Sequence, residues 1–301
     1  MIFEYGELDN YIDVTPLVNL HFSNEEEYFI PSSDARRAGA FGDPLYGVLK
    51  KMRVTDGDTV VYYDSEEPVL IKKGIPLNPL SPKKILDDIH SKIICHGGSI
   101  RDEYPEQLFT SVFIKPTDRV IELGANIGRN TLLISSILED SANLVTFETM
   151  KDSAQTLELN KVSNKFDFHI ENAAVSKNKV IQSGWDSFTV SNSIATPPGF
   201  VEVNTITFEQ VLEKYKLDFN VLVADCEGAL YNILMEEPNF LKNIETIIVE
   251  NDYDTTAKKQ KVDEIYKENG FVCICKRHLF FRGEDRDDFY AVWKKNYFFE
   301  Y

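Results

Sequence analysis

The chain has little cysteine, no long apolar run and no surplus of positive charge, and each shortage narrows what it can be. Its four cysteines, Cys95, Cys226, Cys273 and Cys275, show no metal-binding spacing. Cys273 and Cys275 stand two apart in an expected strand, which predicts packed thiols on one face. So few thiols fit a reducing compartment. No apolar run approaches the roughly 18 residues of a membrane span, and MIFEYGELDN does not read as a signal peptide. The expected setting is the cytosol, or the host cytosol if a virus encodes the chain, with no membrane partner. Acidic residues outnumber basic ones 49 to 32, for a net charge of −17. That argues against nucleic acid as a partner, because no basic excess exists to displace counterions.

Within 301 residues, 43% hydrophobic and 27% charged, there is material for one large or two modest globular domains. The chain is organised around VIELGANIGRNTLLIS, residues 120–135. Val120, Ile121 and Leu123 read as a buried strand, with Glu122 at its carboxyl end. Gly124 and Gly128 allow a sharp turn and close approach of backbone to a ligand. An apolar helix then opens with backbone N–H groups directed into the turn. The third glycine of the dinucleotide fingerprint is missing, since the spacing is E-x-G-x-N-x-G. A second strand, Leu144 to Phe147, ends in Glu148. An acidic residue about 20 positions past such a turn suits a ribose diol. Turn and carboxylate together predict a nucleoside site.

ELGANIG, the strand-end Glu148, NAAVS at 172–176 and ADCEGALYNIL at 224–234 occur in this order. On these segments the region of about residues 105–295 resembles the FkbM family of S-adenosylmethionine-dependent methyltransferases. The resemblance implies S-adenosylmethionine as cofactor, with Asn172 and Ala173 as neighbours of the adenine.

Residues 1–76 show short apolar segments separated by turn signals such as Asp56-Gly57-Asp58, which predicts a small β-rich module. YGELDNYIDVT and FGDPLYGVLKKMRV resemble small β modules attached to glycan-related enzymes and to proteins of large DNA viruses and marine microbes. Docking, or homo-oligomer formation, is the expected role. Residues 77–100 hold a proline-containing linker and a connecting amphipathic helix over 85–97. His90 and His96 are expected at its surface, with Gly97-Gly98 as a candidate lid. Residues 101–301 alternate strands and helices, and the last two strands have no helix between them. The predicted fold class is α/β: a Rossmann-like class I methyltransferase sheet, mostly parallel with an antiparallel edge, preceded by the β-rich domain.

Three clusters carry the expected chemistry. Gly124, Asn126 and Gly128 would approach the methionine part of the cofactor. Glu122 would bind its ammonium group, directly or through water, and Glu148 its ribose. Asp225 emerges at the end of the strand Val221 to Ala224, followed by Glu227, which either acts in the site or caps the next helix. Glu250 and Asn251 follow the strand Thr246 to Val249, expected beside the one carrying Asp225. Asp225, Glu250 and Asn251 resemble the magnesium ligands of catechol-type O-methyltransferases, which implies a possible Mg²⁺. Without metal, Asp225, Glu227 or Glu250 is a candidate catalytic base. An irregular loop is expected over 176–200, with Trp185 placed to stack on a sugar or to fill a core gap. A second loop is expected over 278–288, where His278 and Arg282 are candidate substrate contacts.

The reading that unites these is O-methyl transfer to a hydroxyl of a sugar, glycan or related small molecule. Two alternatives stay open: a non-catalytic glycan-binding protein, or an NAD-linked oxidoreductase, the latter lacking a Tyr-x-x-x-Lys pair in a suitable helix.

Overall fold

The computed structural model describes residues 1–281 and 284–301. The first 76 residues form β1 (Ile2–Glu7), β2 (Asn10–Asp13), α1 (Thr15–His21), β3 (Glu27–Ile30), α2 (Asp34–Phe41), β4 (Lys51–Asp56), β5 (Thr59–Tyr63) and β6 (Val69–Lys72). Next come α3 (Pro82–Lys92), α4 (Tyr104–Phe113), β7 (Val120–Leu123), α5 (Arg129–Ile137), β8 (Leu144–Phe147), α6 (Lys151–Asn164), β9 (His169–Glu171) and β10 (Ala174–Val175). The remainder is β11 (Lys179–Ser183), β12 (Asp186–Val190), β13 (Val201–Val203), β14 (Thr205–Ile206), α7 (Phe208–Tyr215), β15 (Val221–Ala224), α8 (Leu230–Glu236), β16 (Thr246–Glu250), α9 (Thr256–Glu268), β17 (Phe271–Phe281) and β18 (Glu284–Lys295). No described helix is long and apolar enough to cross a membrane.

The main sheet has the order β17-β18-β16-β15-β7-β8-β9. β16, β15, β7, β8 and β9 are parallel; β18 runs antiparallel to β16 and to β17. From β7 the chain steps outward through β8 to β9, then returns to place β15 on the other side of β7. The reversal makes β7 and β15 a topological switch point, where open α/β sheets form a crevice at the strand tips. Alternation along each strand divides the core. Ile121 and Leu123 join a cluster with residues of α7, α8 and α9, while Val120 joins one with residues of α4, α5 and α6.

Several expectations change in detail. The region 176–200 is irregular only in part: its first half forms the β11–β12 hairpin, and β11 also pairs antiparallel with β13 beyond it. The single strand expected over 167–175 is divided into β9 and β10, and β10 leaves the main sheet to pair with β14. The loop expected over 278–288 belongs largely to the β17–β18 hairpin, and Arg282 lies outside the described residues. Cys273 and Cys275 pack in clusters on opposite faces, because a register shift between them breaks the two-residue alternation. The amphipathic helix ends at Lys92, and His90 is buried against Tyr104 rather than exposed.

The N-terminal module is β-rich, with the sheets β2-β1-β4-β5 and β3-β6 and two helices beside them. It is not a loose appendage. Phe29 of β3 belongs to the same core cluster as Phe113, and its ring meets those of Tyr297 and Phe299. Buried Glu27 accepts hydrogen bonds from the Tyr297 hydroxyl and the Lys72 ammonium. Arg37, fully buried, donates to the carbonyls of Pro31, Asp64 and Glu67 and ties two module loops to α2.

Because Phe29 spans this seam, Phe29→Ala is expected to cost about 3–5 kcal/mol. Urea unfolding followed by both fluorescence and circular dichroism checks this, with one shared transition shifted to lower denaturant.

Candidate functional site

The glycine turn is fixed by what surrounds it. Gly124 holds φ at +89°, and a Cβ there would sit 1.6 Å from the Asp225 carbonyl oxygen. The Asp225 amide donates to the Leu123 carbonyl at 3.0 Å, which brings the tips of β7 and β15 together. Gly128, at φ +95°, caps α5 where a Cβ would meet Leu157 at 2.4 Å. The turn's own donors are largely spent. The Gly124 and Ala125 amides both donate to the Phe147 carbonyl, Gly128 donates to Ala125, and Asn126 donates to Glu148 Oε2 at 2.7 Å. The loop therefore offers a ligand its shape and Glu148, rather than the ring of free amides expected from the turn.

A cleft opens at this switch point, with about 730 Å³ of space counting its open mouth. Gly124, Asn126, Glu148, Ala173, Asp225 and Glu227 line it. The β11–β12 hairpin adds Gln182, Trp185 and Ser187, so Trp185 faces the cleft rather than filling a core gap. Glu148 is buried, and each of its oxygens accepts one backbone amide, from Met150 at 2.6 Å and from Asn126. Burial raises its pKa and those amides pull it back down. Each oxygen keeps a further acceptor position. Asn172 donates from Nδ2 to the Glu148 and Thr149 carbonyls and so positions the end of β8.

Glu122 is placed elsewhere. β7 ends at Leu123 as expected, but alternation puts the Glu122 side chain on the Val120 face, under α5. It is 2% exposed, and Oε2 accepts from the hydroxyls of Thr131 and Thr146, each at 2.6 Å. Burial pushes its pKa to about 7. Glu122 is not among the residues that line the cleft, where Glu148, Asp225 and Glu227 supply the carboxylates instead. Glu227 does not cap α8, whose first residue follows Ala229. It occupies the turn itself at φ +51°, with Gly228 at +75°.

At the same rim three carboxylates converge. Oxygens of Glu106, Asp225 and Glu250 lie within 4.8 Å of one another. The cause is register. Val223 pairs with Ile248 and Ala224 with Val249, so Asp225 and Glu250 leave adjacent strands side by side. α4 lies against β16 and supplies Glu106. Asn251, expected with Asp225 and Glu250, donates through its amide and Nδ2 to the carbonyls of Phe289 and Asp288. Glu106, which the sequence reading missed, is the third carboxylate of the cluster. Asn130 Nδ2 donates to it at 3.0 Å. The available signal was a buried helix stripe of Leu108, Phe109 and Phe113 interrupted by Glu106 and Thr110. Nearby Glu103 is held by Arg129 at 2.9 Å.

Two like charges at this range repel by roughly 3–4 kcal/mol at a surface-like effective dielectric. Burial, reinforced by neighbouring carboxylates, raises Asp225 to about 8 and Glu250 to about 9. Burial and the hydrogen-bonded Asp252 raise Glu227 to about 7, and burial holds Glu106 well above the ordinary range. His96 is pinned to α6: its amide donates to Asn160 and its ring meets Ser163.

These raised values fix the sign of the pH dependence. Between about pH 4 and pH 9 the folded chain holds protons that the unfolded chain has released, so stability falls as pH rises. The melting temperature is expected to drop from pH 6 to pH 9. Glu250→Gln should flatten that slope, and scanning calorimetry at both pH values measures it. Gly124→Ala should lower the melting temperature at every pH.

The model of the methyltransferase FkbM domain matches residues 113–273, more than half of the chain. Among solved structures, the chain is similar to a putative O-methyltransferase from Klebsiella pneumoniae at 14% identity and TM-score 0.40, covering 74% of this chain and 93% of that one. It is also similar to a putative tRNA (m1A22) methyltransferase from Streptococcus pneumoniae, at 12% identity and TM-score 0.40, covering 62% and 68%. A ribosomal protein L11 methylase from Lactobacillus delbrueckii subsp. bulgaricus gives 12% identity and TM-score 0.38, covering 64% and 78%. Among curated proteins none matches. Carrying its glycine turn and acidic strand tips within the matched segment, the chain belongs to the FkbM family of S-adenosylmethionine-dependent methyltransferases.

Proposed function

We propose that the chain transfers a methyl group to a hydroxyl of a sugar, glycan or related small molecule. The observation that carries this reading is the double position of Asp225, which lines the cleft beside Gly124 and also stands in the carboxylate cluster with Glu106 and Glu250. A cofactor in the cleft and an acceptor at the cluster would thus share one boundary.

The residues present fit the cofactor. Glu148 has acceptor capacity left for a ribose diol. Gly124 leaves the floor of the cleft without a side chain, and Ala173 keeps one wall small. Trp185 offers an aromatic face at the mouth. When bound, S-adenosylmethionine supplies an electrophilic methyl group on a sulfonium. The protein's part is to align the acceptor hydroxyl and receive its proton. The cluster holds protons at neutral pH and can accept one more only after releasing one. Asp225 and Glu250, at about 8 and 9, therefore predict activity that rises with pH through that range.

A second reading follows from the same three oxygens. Carboxylates are the hard donors that Mg²⁺ prefers, so Glu106, Asp225 and Glu250 could hold that ion in place of protons. Such an ion would lower the pKa of the acceptor hydroxyl.

The test is mass spectrometry of a glycan panel incubated with isotope-labelled cofactor. Labelled O-methyl products are expected. Binding of S-adenosylhomocysteine with no labelled product across the panel would instead favour a binding protein. Asp225→Asn should reduce transfer by about 100-fold or more, the scale of a lost general base, with cofactor affinity little changed. Full activity in EDTA would remove the magnesium reading, and loss restored by Mg²⁺ would support it.

A further inference from the structure

A second cavity lies where the N-terminal module meets the β17–β18 hairpin. Ser32 and Ser33, just before α2, and Ser65, between β5 and β6, line one side. Lys276 and Arg277 of β17 line the other, with Tyr301 beside them. Residues from four distant parts of the sequence converge here, and none of them belongs to the cleft at the switch point.

Cations collect here although the chain as a whole is acidic. Net charge is −17, yet three cations gather around this cavity. Arg36 lies 3.6 Å over the Tyr301 ring, and Lys276 Nζ is 5.8 Å from the same ring. Arg277 donates from Nη2 to Glu66 at 3.0 Å, while its Nη1 has no hydrogen-bond partner. Among the described side chains, the nearby carboxylates are Glu66, 48% exposed and itself lining the cavity, and Asp288, 4.0 Å from Lys276 and also bound by Lys259. The Arg277 guanidinium, the Lys276 ammonium and the serine hydroxyls along the cavity form the donor set that suits an oxyanion. Tyr301 adds an apolar ring face for the body of the ligand.

We propose that this seam cavity binds the oxyanion of a small hydroxylated ligand: a carboxylate, sulfate or phosphate monoester. The register suggests why it is there. Arg277 pairs with Tyr290, and Tyr290 pairs with Glu250. Directly opposed residues share a face, and adjacent strands are about 4.8 Å apart. Arg277 thus stands two strands, on the order of 10 Å, from the carboxylate cluster. That span matches one or two sugar rings. The ligand so assigned is the anionic end of an acidic-sugar acceptor, an assignment that rests on the methyl-transfer reading; the oxyanion site itself does not.

Calorimetry on the full chain at low ionic strength tests the site directly, with glucuronate, inorganic sulfate and inorganic phosphate as probes and glucose as the neutral control. Saturable binding of at least one anion, with none of glucose, is expected. Arg277→Met should weaken it by about tenfold or more, the scale of a lost charge-assisted pair, while S-adenosylhomocysteine binds as before and reports an intact fold. Preference for glucuronate assigns the site to a carboxylate; preference for sulfate or phosphate assigns it to an ester. No saturable binding of any anion, or binding unchanged in both Arg277→Met and Lys276→Met, overturns the proposal. Failure of wild-type chain to bind S-adenosylhomocysteine would strike the methyl-transfer reading alone.

Discussion

Everything at the rim depends on how closely the tips of β7 and β15 approach each other. The Asp225 amide reaches the Leu123 carbonyl across that gap, and the Gly124 backbone lies where a methyl group would overlap the Asp225 carbonyl. The contact is possible only because position 124 has no side chain and accepts a positive φ. It sets the floor of the cleft and aims Asp225 toward both the cofactor space and the carboxylates. One steric fact thus joins two sites that would otherwise be separate pieces of an ordinary sheet.

The carboxylate cluster is the opposite kind of feature, costly to fold and held by its surroundings. Buried acids so close together cannot all be charged, so their state depends on protons or on a cation. The fold tolerates them because β15, β16 and α4 are packed by apolar side chains a turn away, including Val223, Ile248 and Phe109. Strain of this type collects where function needs it, since an apolar rim would be simpler to build.

Legibility followed the range of the interaction. The parallel sheet, its antiparallel edge and the neighbouring of β15 and β16 were readable, because β–α alternation and buried strand runs are local patterns. Glu148 was readable from its place at a strand tip. Glu106 was not, because its relation to Asp225 and Glu250 is made by a helix crossing two strands far away in sequence. Glu122 was misjudged although its strand was not: one position before the strand's last residue, it follows the two-residue alternation onto the face under α5 instead of reaching the tip. The cysteine pair failed for a related reason: a shift of register between Cys273 and Cys275 sends neighbours expected on one face to opposite faces. The small sheet of β11, β12 and β13 was hidden because its strands are short and largely polar, so little hydrophobic periodicity marks them.

The seam through Phe29 has a consequence for biosynthesis. The β3 side chain is made early, but Phe113, Tyr297 and Phe299 that enclose it come later, the last two after nearly all the rest. While the ribosome is still translating, the module carries an exposed aromatic and a Glu27 without its tyrosine donor. Its final closure must wait until Tyr297 and Phe299 have been made, so a nascent chain stalled before Tyr297 would present a sticky surface to chaperones.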